Sequence, residues 1–331
     1  MRALVRHSAR LLSGGGLATV ALATLPGAAL GHVADVVPQA PTAWIAVTSW
    51  TVEPLALVGI VIAAGLYLAG VRQVDRAHPG SPVPRRRIAA WLAGLAVIAI
   101  ALFSFVDVYA TTLFSVHMIQ HLLLAMVGAP LLLLGAPITL LLRTASPEAR
   151  KRRILPVLHS RLVRAISHPV VGWLAFAIVI WASHFSPLFE AALEDPAIHA
   201  MEHALYLGAA LLFWWPVVGA DPHPFRMGHG MRLGYMLLAM PQNAFLGFVL
   251  FAVPTVLYEH YASLQRVWGP TALEDQQLAG GIMWAAGDLI FLVPCLLMTL
   301  AWFRYEEEKG RLHNERLDRE RARLARASQG G

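Results

Sequence analysis

Five histidines in this chain have the spacing and setting expected of ligands to a metal ion or a cofactor. Two pairs follow the pattern His-x-x-x-His, in the segments FSVHMIQHLLL and PAIHAMEHALY. Residues four apart lie on one face of a helix with Cβ atoms about 6 Å apart, so each pair can grip one ion. A fifth histidine, in WASHFS, ends another apolar segment. The candidate ligands are His117, His121, His184, His199 and His203.

Composition places these histidines in a membrane protein. Hydrophobic residues make up 57% and charged residues 14% of the 331 residues, too few charges to cover a soluble protein of this size. Imidazole is costly to bury in lipid without a partner, so histidines within a membrane usually mark a site. The net charge of +6 does not indicate nucleic-acid binding, because the basic residues flank hydrophobic segments instead of forming a face with stacking aromatics.

Seven apolar segments are long enough to span a hydrocarbon core of about 30 Å. The predicted fold is therefore an all-α membrane protein, a bundle of seven transmembrane helices. The third segment is over-long and contains Pro130 and Pro137, so we expect it to be kinked or broken in its inner half. The predicted spans are 54–71, 88–106, 113–142, 170–187, 199–219, 233–257 and 277–303.

The start of the chain has the anatomy of a signal peptide. Arg2, Arg6 and Arg10 precede a short apolar stretch and then small residues. This pattern predicts a signal peptide, or alternatively an uncleaved N-terminal anchor. The predicted parts are 1–31 for this segment, 32–53 for an exterior N-terminal segment, 54–303 for the seven-span domain and 304–331 for a charged tail.

The distribution of lysine and arginine predicts the orientation in a cell membrane. Basic residues cluster after spans one, three and five and in the tail, whereas the alternate segments contain only Arg266. By the positive-inside rule, the tail is cytoplasmic and the mature N-terminus is outside. All five histidines then lie at similar depth near the exterior face of the lipid bilayer.

Other side chains at that depth are candidates for supporting the histidines. Carboxylates can orient metal-bound imidazoles, and thioether sulfur selects Cu(I). An amide at the start of span seven can hydrogen-bond the site. These auxiliary candidates are Glu202, Asp275, Gln276, Met118, Met201 and Met283.

Copper fits these ligands better than structural zinc. A histidine-rich site facing an oxidising compartment favours copper, as Cu(I) or Cu(II), and the single cysteine, Cys295, excludes a CxxC clamp. The alternative is a haem held by one histidine from each of two helices, which would make the protein a membrane electron carrier or oxidoreductase. The string His199-x-x-Glu202-His203 also matches the H-x-x-E-H pattern of inverzincin peptidases, but this motif is short.

Two further patterns concern how the helices are positioned. Trp214-Trp215-Pro216 ends span five and is typical of an aromatic belt at a membrane interface. The pair Gly280-Gly281, near the start of span seven, would allow two helices to approach closely.

Three long stretches, HMIQHLLLAMVGAPLLLLGAP (117–137), HFSPLFEAALEDPAIHAMEHALYLGAALLFWWPVVG (184–219) and DQQLAGGIMW (275–284), carry a family resemblance. They resemble the polytopic CtaG-type cytochrome c oxidase assembly factors, which are associated with caa-type haem-copper oxidases. The resemblance covers about residues 50–303 and implies a seven-span, non-enzymatic protein that helps to mature the oxidase through its copper centres. The five candidate histidines correspond to the histidines of the family's motifs. The expected partners are oxidase subunits and exterior copper chaperones, so the expected role is that of a metallochaperone.

Overall fold

Long apolar helices carry all five of the candidate histidines. A computed structural model of the protein describes residues 37–329. Within this range, six helices are long and apolar enough to cross a membrane, and a bent pair of shorter helices makes a seventh span if it is counted as one. The described residues contain no strand. The prediction of an all-α membrane protein is therefore confirmed, whereas the signal-like segment 1–31 lies outside the described residues.

The observed helices begin and end close to the predicted spans. In residues 37–329, three short π-helical segments, each flanked directly by α-helix, interrupt the regular helices. In chain order the elements are α1 (Ala43–Thr48), α2 (Pro54–Ala77), α3 (Arg85–Phe103), α4 (Phe105–Ala110), α5 (Phe114–Leu122), π1 (Leu123–Gly128), α6 (Ala129–Leu134), α7 (Pro137–Thr144), α8 (Pro147–Ala149), π2 (Arg150–Ile154), α9 (Leu155–Leu158), α10 (Arg161–Ile166), α11 (Pro169–Phe185), α12 (Pro187–Glu194), α13 (Pro196–Val218), α14 (His229–Ala252), α15 (Glu259–Ser263), α16 (Ala272–Gly281), π3 (Ile282–Ala286) and α17 (Gly287–Gln329).

The bent pair is α11 and α12, whose axes differ in direction by 72°. The bend falls at Ser186, which has an extended backbone (φ −127, ψ 166) and precedes Pro187. A residue before proline is disfavoured in the helical region, so the sequence stops α11 at this point. The Ser186 side chain then accepts a hydrogen bond from the backbone N–H of Leu188 and caps α12.

The third span breaks in its inner half, as the prolines predict. Ala136 adopts the left-handed conformation (φ 52, ψ 56), and α7 begins at Pro137. Backbone groups freed at such a break must find partners inside the bundle. The Tyr67 hydroxyl donates to the Gly135 carbonyl at 2.8 Å. The Asp221 carboxylate accepts from the first two free backbone N–H groups of α7, at 3.0 and 2.6 Å.

Trp214 does not lie in an interfacial belt, so that prediction is wrong for this residue. Its side chain is only 2% exposed. The indole N–H donates to the carbonyl of Ala125 at 2.9 Å. Ala125 belongs to π1, where the regular helical pattern of hydrogen bonds is interrupted. The buried indole therefore connects α13 to the irregular part of span three.

Gly280 allows α14 and α16 to approach each other closely, whereas Gly281 is not at a contact. A Cβ atom at Gly280 would lie 2.5 Å from the backbone nitrogen of Phe251 and 2.7 Å from the carbonyl oxygen of Gly247. A Cβ atom at Gly281 would meet nothing within 4 Å. The close approach predicted for the glycine pair is thus made by Gly280, in the manner of small residues between membrane helices.

Replacing Gly280 by alanine is expected to destabilise the protein by about 1–3 kcal/mol, because the added methyl group would clash with the backbone of α14. Gly281→Ala is the matched control. It should leave the melting temperature unchanged or slightly raised, because alanine is the better helix former and has room there. Thermal unfolding of both variants in detergent measures the difference. Equal melting temperatures would contradict the close contact.

Candidate metal centre

The helix that carries the first histidine pair is fixed by a carboxylate from another span. No side chain of α5 itself caps its N-terminus. Instead, Asp275 of α16 accepts hydrogen bonds from the backbone N–H of Phe114 at 2.6 Å and from the Ser115 hydroxyl at 2.5 Å. A guanidinium nitrogen of Arg266 lies 3.8 Å from the same carboxylate, which is 1% exposed. Asp275 therefore sets the position of α5.

Gln276 is tied to backbone groups of the segment before α15. Its amide oxygen accepts from the backbone N–H of Leu257 at 2.8 Å, and its amide nitrogen donates to the carbonyl of Thr255 at 3.0 Å. From the sequence, we expect Asp275 and Gln276 to hydrogen-bond the histidines. Their hydrogen bonds in the structure instead hold the chain around the site.

His117 and His121 face each other across one helical turn, together with Glu202 from α13. The Nε2 atoms of the two histidines are 3.0 Å apart. The Oε2 atom of Glu202 lies 3.7 Å from Nε2 of His117 and 3.8 Å from Nε2 of His121. Among the described residues, these three form the one group of histidine, cysteine and acidic side chains whose ligand atoms converge closely enough for a metal ion. We call them the HHE site.

The three ligand atoms of the HHE site have the spacing of a coordination sphere. A point equidistant from atoms separated by 3.0, 3.7 and 3.8 Å lies about 2.0 Å from each of them. Metal–imidazole and metal–carboxylate bonds are about 2.0–2.2 Å long. An ion at this point would therefore be within bonding distance of two imidazole nitrogens and one carboxylate oxygen.

The carboxylate of Glu202 is buried, and burying its charge costs free energy. The residue is 1% exposed, and neither of its oxygens accepts a hydrogen bond from the part of the chain that the structure describes. A buried carboxylate in this state is costly unless a cation or a proton compensates its charge. A cation between Glu202 and the two imidazoles would supply that compensation.

The second histidine pair packs beside the HHE site. The His199 ring lies 5.3 Å from the His117 ring, and the His203 ring lies 6.1 Å from the His121 ring, measured between centroids. His199 and His203 are 3% and 8% exposed. The structure thus brings both predicted pairs together across α5 and α13. It also places the glutamate of the H-x-x-E-H string against the histidines of α5.

His184 stands one side chain further away, among aromatic rings. Its Nδ1 atom lies 2.8 Å from the carbonyl of Ile180, which can only accept a hydrogen bond, so we assign the ring proton to Nδ1. The Nε2 atom then carries the lone pair. This nitrogen is buried and has no hydrogen-bond partner among the described residues. A histidine whose other nitrogen donates to a carbonyl is in the arrangement typical of metal ligands.

The three candidate methionines are placed differently. Met118 and Met283 are 2% and 4% exposed and line a small cavity next to His121. Met201 is 48% exposed on α13, although its neighbour Glu202 points inward. Its sulfur is therefore presented to the surroundings of the bundle, whereas Met118 and Met283 belong to the interior.

Two tyrosines that are not among the residues predicted from the sequence complete the surroundings of the site. The Tyr206 ring stacks on His121 with centroids 3.8 Å apart. The Tyr261 hydroxyl donates to the carbonyl of Ala110 at 2.7 Å and lies 3.5 Å from Nδ1 of His117. Burial raises the pKa of Tyr261, so this hydroxyl keeps its proton for the carbonyl. The sequence signal was the aromatic string LYEHYAS, at the same end of the bundle as the histidines.

One comparison with known proteins identifies a family, and another finds relatives without a described function. The family described as cytochrome c oxidase caa3 assembly factor matches residues 65–305. Uncharacterized proteins of Mycobacterium bovis and Mycobacterium tuberculosis are each 32% identical over 277 residues, and one of Mycobacterium leprae is 31% identical. These matches cover 81% of this chain but 42% of each relative, so the chain spans less than half of their length. No solved structure matches.

Proposed function

The chain belongs to the cytochrome c oxidase caa3 assembly factor family, and from that premise we propose that it binds a copper ion in the HHE site and helps to deliver it to the oxidase. The role is non-catalytic: the protein holds an ion and releases it to a client. The clients are oxidase subunits, and exterior copper chaperones are the source. A metal ion is the cargo in this proposal, because assembly of a haem-copper oxidase requires one.

The observation that carries the proposal is the spacing of the three ligand atoms. Two imidazole nitrogens and one carboxylate oxygen surround a point about 2.0 Å from each. The rings of His199 and His203 pack beside this group, with centroids 5.3 Å from that of His117 and 6.1 Å from that of His121. Imidazole and carboxylate alone suit several metals, and buried methionines beside His121 favour copper over zinc.

Haem binding has less support than copper binding at this place. The axial nitrogens of a bis-histidine haem lie on opposite faces of the porphyrin. The Nε2 atoms of His117 and His121 are 3.0 Å apart and face the same carboxylate oxygen. The cavity next to His121 has a volume of only about 20 Å³, too small for a porphyrin.

The charge pattern supports an exterior location for the HHE site. Basic residues flank the opposite ends of the spans and fill the continuation of α17, where exposed pairs such as Arg311 with Glu308 lie. By the positive-inside rule that side is cytoplasmic. The protein then lies in the cell membrane with its site at the exterior side, where copper chaperones and the copper-containing oxidase subunit meet it.

Copper loading tests the proposal. We expect the full chain, purified in detergent, incubated with Cu(II) in air and desalted, to retain one copper per protein, measured by mass spectrometry. The visible spectrum of the protein as purified should have no Soret band. Failure to retain copper, or a Soret band that requires His117 or His199, would contradict the proposed function.

A further inference from the structure

A cavity of about 20 Å³ is lined by residues of α5, π1, α11, α13, α14 and π3, with His121 among them. This volume is enough for one water molecule or one ion. The residues that line the cavity differ from those of the HHE site, since three of them are methionines. Six of the side chains that line it are Met118, His121, Met126, His184, Tyr206 and Met283.

Three methionines line this space, and each comes from a π segment or from the helix that carries the first histidine pair. Met118 lies on α5 between the two histidines, Met126 lies in π1, and Met283 lies in π3. Buried methionines usually fill gaps in a core. Here the three are 2%, 5% and 4% exposed and still leave a cavity between them. Sulfur atoms around an open space are suited to a soft cation.

His184 lines the same cavity and has an imidazole nitrogen with a lone pair. Its Nδ1 proton is used on the Ile180 carbonyl, and its buried Nε2 atom has no hydrogen-bond partner in the described part of the chain. The residue lines the cavity, as does the face of α11 formed with Ile180. A buried imidazole nitrogen without a partner is costly in a membrane bundle unless the site supplies a ligand for it.

Two of the three π-helical segments meet at this cavity. Short π segments within α-helices occur frequently at functional sites, because they redirect side chains that a regular helix would place elsewhere. The side-chain amide of Asn243 donates to the Met283 carbonyl at 3.0 Å and thereby satisfies a backbone group of π3. The position of Met283 is thus fixed by a hydrogen bond from a neighbouring span, and Asn243 also lines the cavity.

We propose that this cavity is a second metal site, selective for Cu(I), in which His184 and the thioethers of Met118, Met126 and Met283 are the ligands. The inference rests on the proposed function, since both sites would draw on the same copper. His121 belongs to both sites: its Nε2 lies near the other HHE ligand atoms, and the residue also lines the cavity. The protein therefore holds one ion at nitrogen and oxygen ligands and another, one imidazole ring away, at sulfur and nitrogen ligands.

Cu(I) loading with X-ray absorption spectroscopy tests this second site. Under ascorbate, the full chain in detergent should bind two Cu(I) per protein and give copper–sulfur scattering. The double variant Met118→Leu/Met283→Leu should bind one and lose that scattering, while Met236→Leu, a fully buried methionine of α14 outside the cavity lining, should behave as wild type. Methionine-to-leucine changes conserve volume and usually cost less than about 1.5 kcal/mol. Retention of one Cu(II) by the double variant would show that it is folded.

The failure of this inference can be told apart from failure of the proposed function. One Cu(I) per wild-type protein with only nitrogen and oxygen scattering would overturn the second site and leave the HHE site standing. Sulfur scattering that survives unchanged in the double variant would also overturn it. Failure of the wild-type protein to bind Cu(II) would instead contradict the proposed function.

Discussion

Replacing His121 by alanine is expected to abolish oxidase maturation while the protein stays in the membrane near its normal abundance. The change removes one of the three HHE ligands. Loss of groups that only support a metal ligand already costs about 10–100-fold in affinity, so losing the ligand itself should cost at least about 100-fold. Oxidase activity in membranes should fall accordingly. Added copper should restore part of it by mass action on the weakened site.

His78→Ala provides the matched control, because His78 is an exposed histidine at the opposite end of the bundle from the HHE site. It should change neither abundance nor oxidase activity. If His121 only packs against Tyr206, the His121→Ala protein should be depleted from the membrane, and copper should not rescue activity. Both results together would contradict a role in metal delivery.

Replacing Glu202 by glutamine is expected to weaken Cu(II) binding at least about 100-fold and, at the same time, to stabilise the metal-free protein. Binding falls because the neutral amide cannot balance the charge of the ion. Stability rises at alkaline pH, where the metal-free carboxyl group is ionised, because the buried carboxylate accepts no hydrogen bond from the described residues and is costly without a cation. Copper titration and thermal melting with and without copper measure the two effects. The melting temperature of wild type should rise strongly on copper addition, and that of the variant should not.

Glu194→Gln is the control for this opposite pair of effects. Glu194 is an exposed glutamate that precedes the same helix, α13. It should leave copper affinity and both melting temperatures unchanged. A Glu202→Gln protein that melts lower in the absence of metal would mean that the carboxylate stabilises the bundle by itself, against the assignment of a cation site.

Much of the site can be predicted from sequence, because helical periodicity and the cost of burying polar groups in lipid depend on short segments of the chain. The His-x-x-x-His spacing is enough to place His117 above His121 on one face of a helix. The scarcity of charges in apolar segments is enough to define the spans. The convergence of α5 and α13, by contrast, depends on how each helix is rotated about its axis, which packing against neighbouring helices decides. Glu202 was therefore predicted only as a supporting group, whereas the structure brings it to both α5 histidines.

Two residues were assigned other roles because their partners are distant in sequence. Asp275 was expected to orient an imidazole. Instead, its carboxylate accepts hydrogen bonds from the start of α5, 160 residues away along the chain. Trp214 looked like an interfacial residue, but the carbonyl of Ala125 in π1 accepts its N–H. A π segment exposes backbone groups that no regular helix would expose, and no periodicity rule predicts it from sequence.

The most direct test of the account is a copper-edge anomalous difference map from crystals of the Cu(II)-loaded protein. The account predicts one strong peak about 2.0 Å from Nε2 of His117, Nε2 of His121 and Oε2 of Glu202. The peak should be missing from crystals of the Glu202→Gln variant treated in the same way. Copper located elsewhere, with these three side chains unligated, would contradict the HHE site.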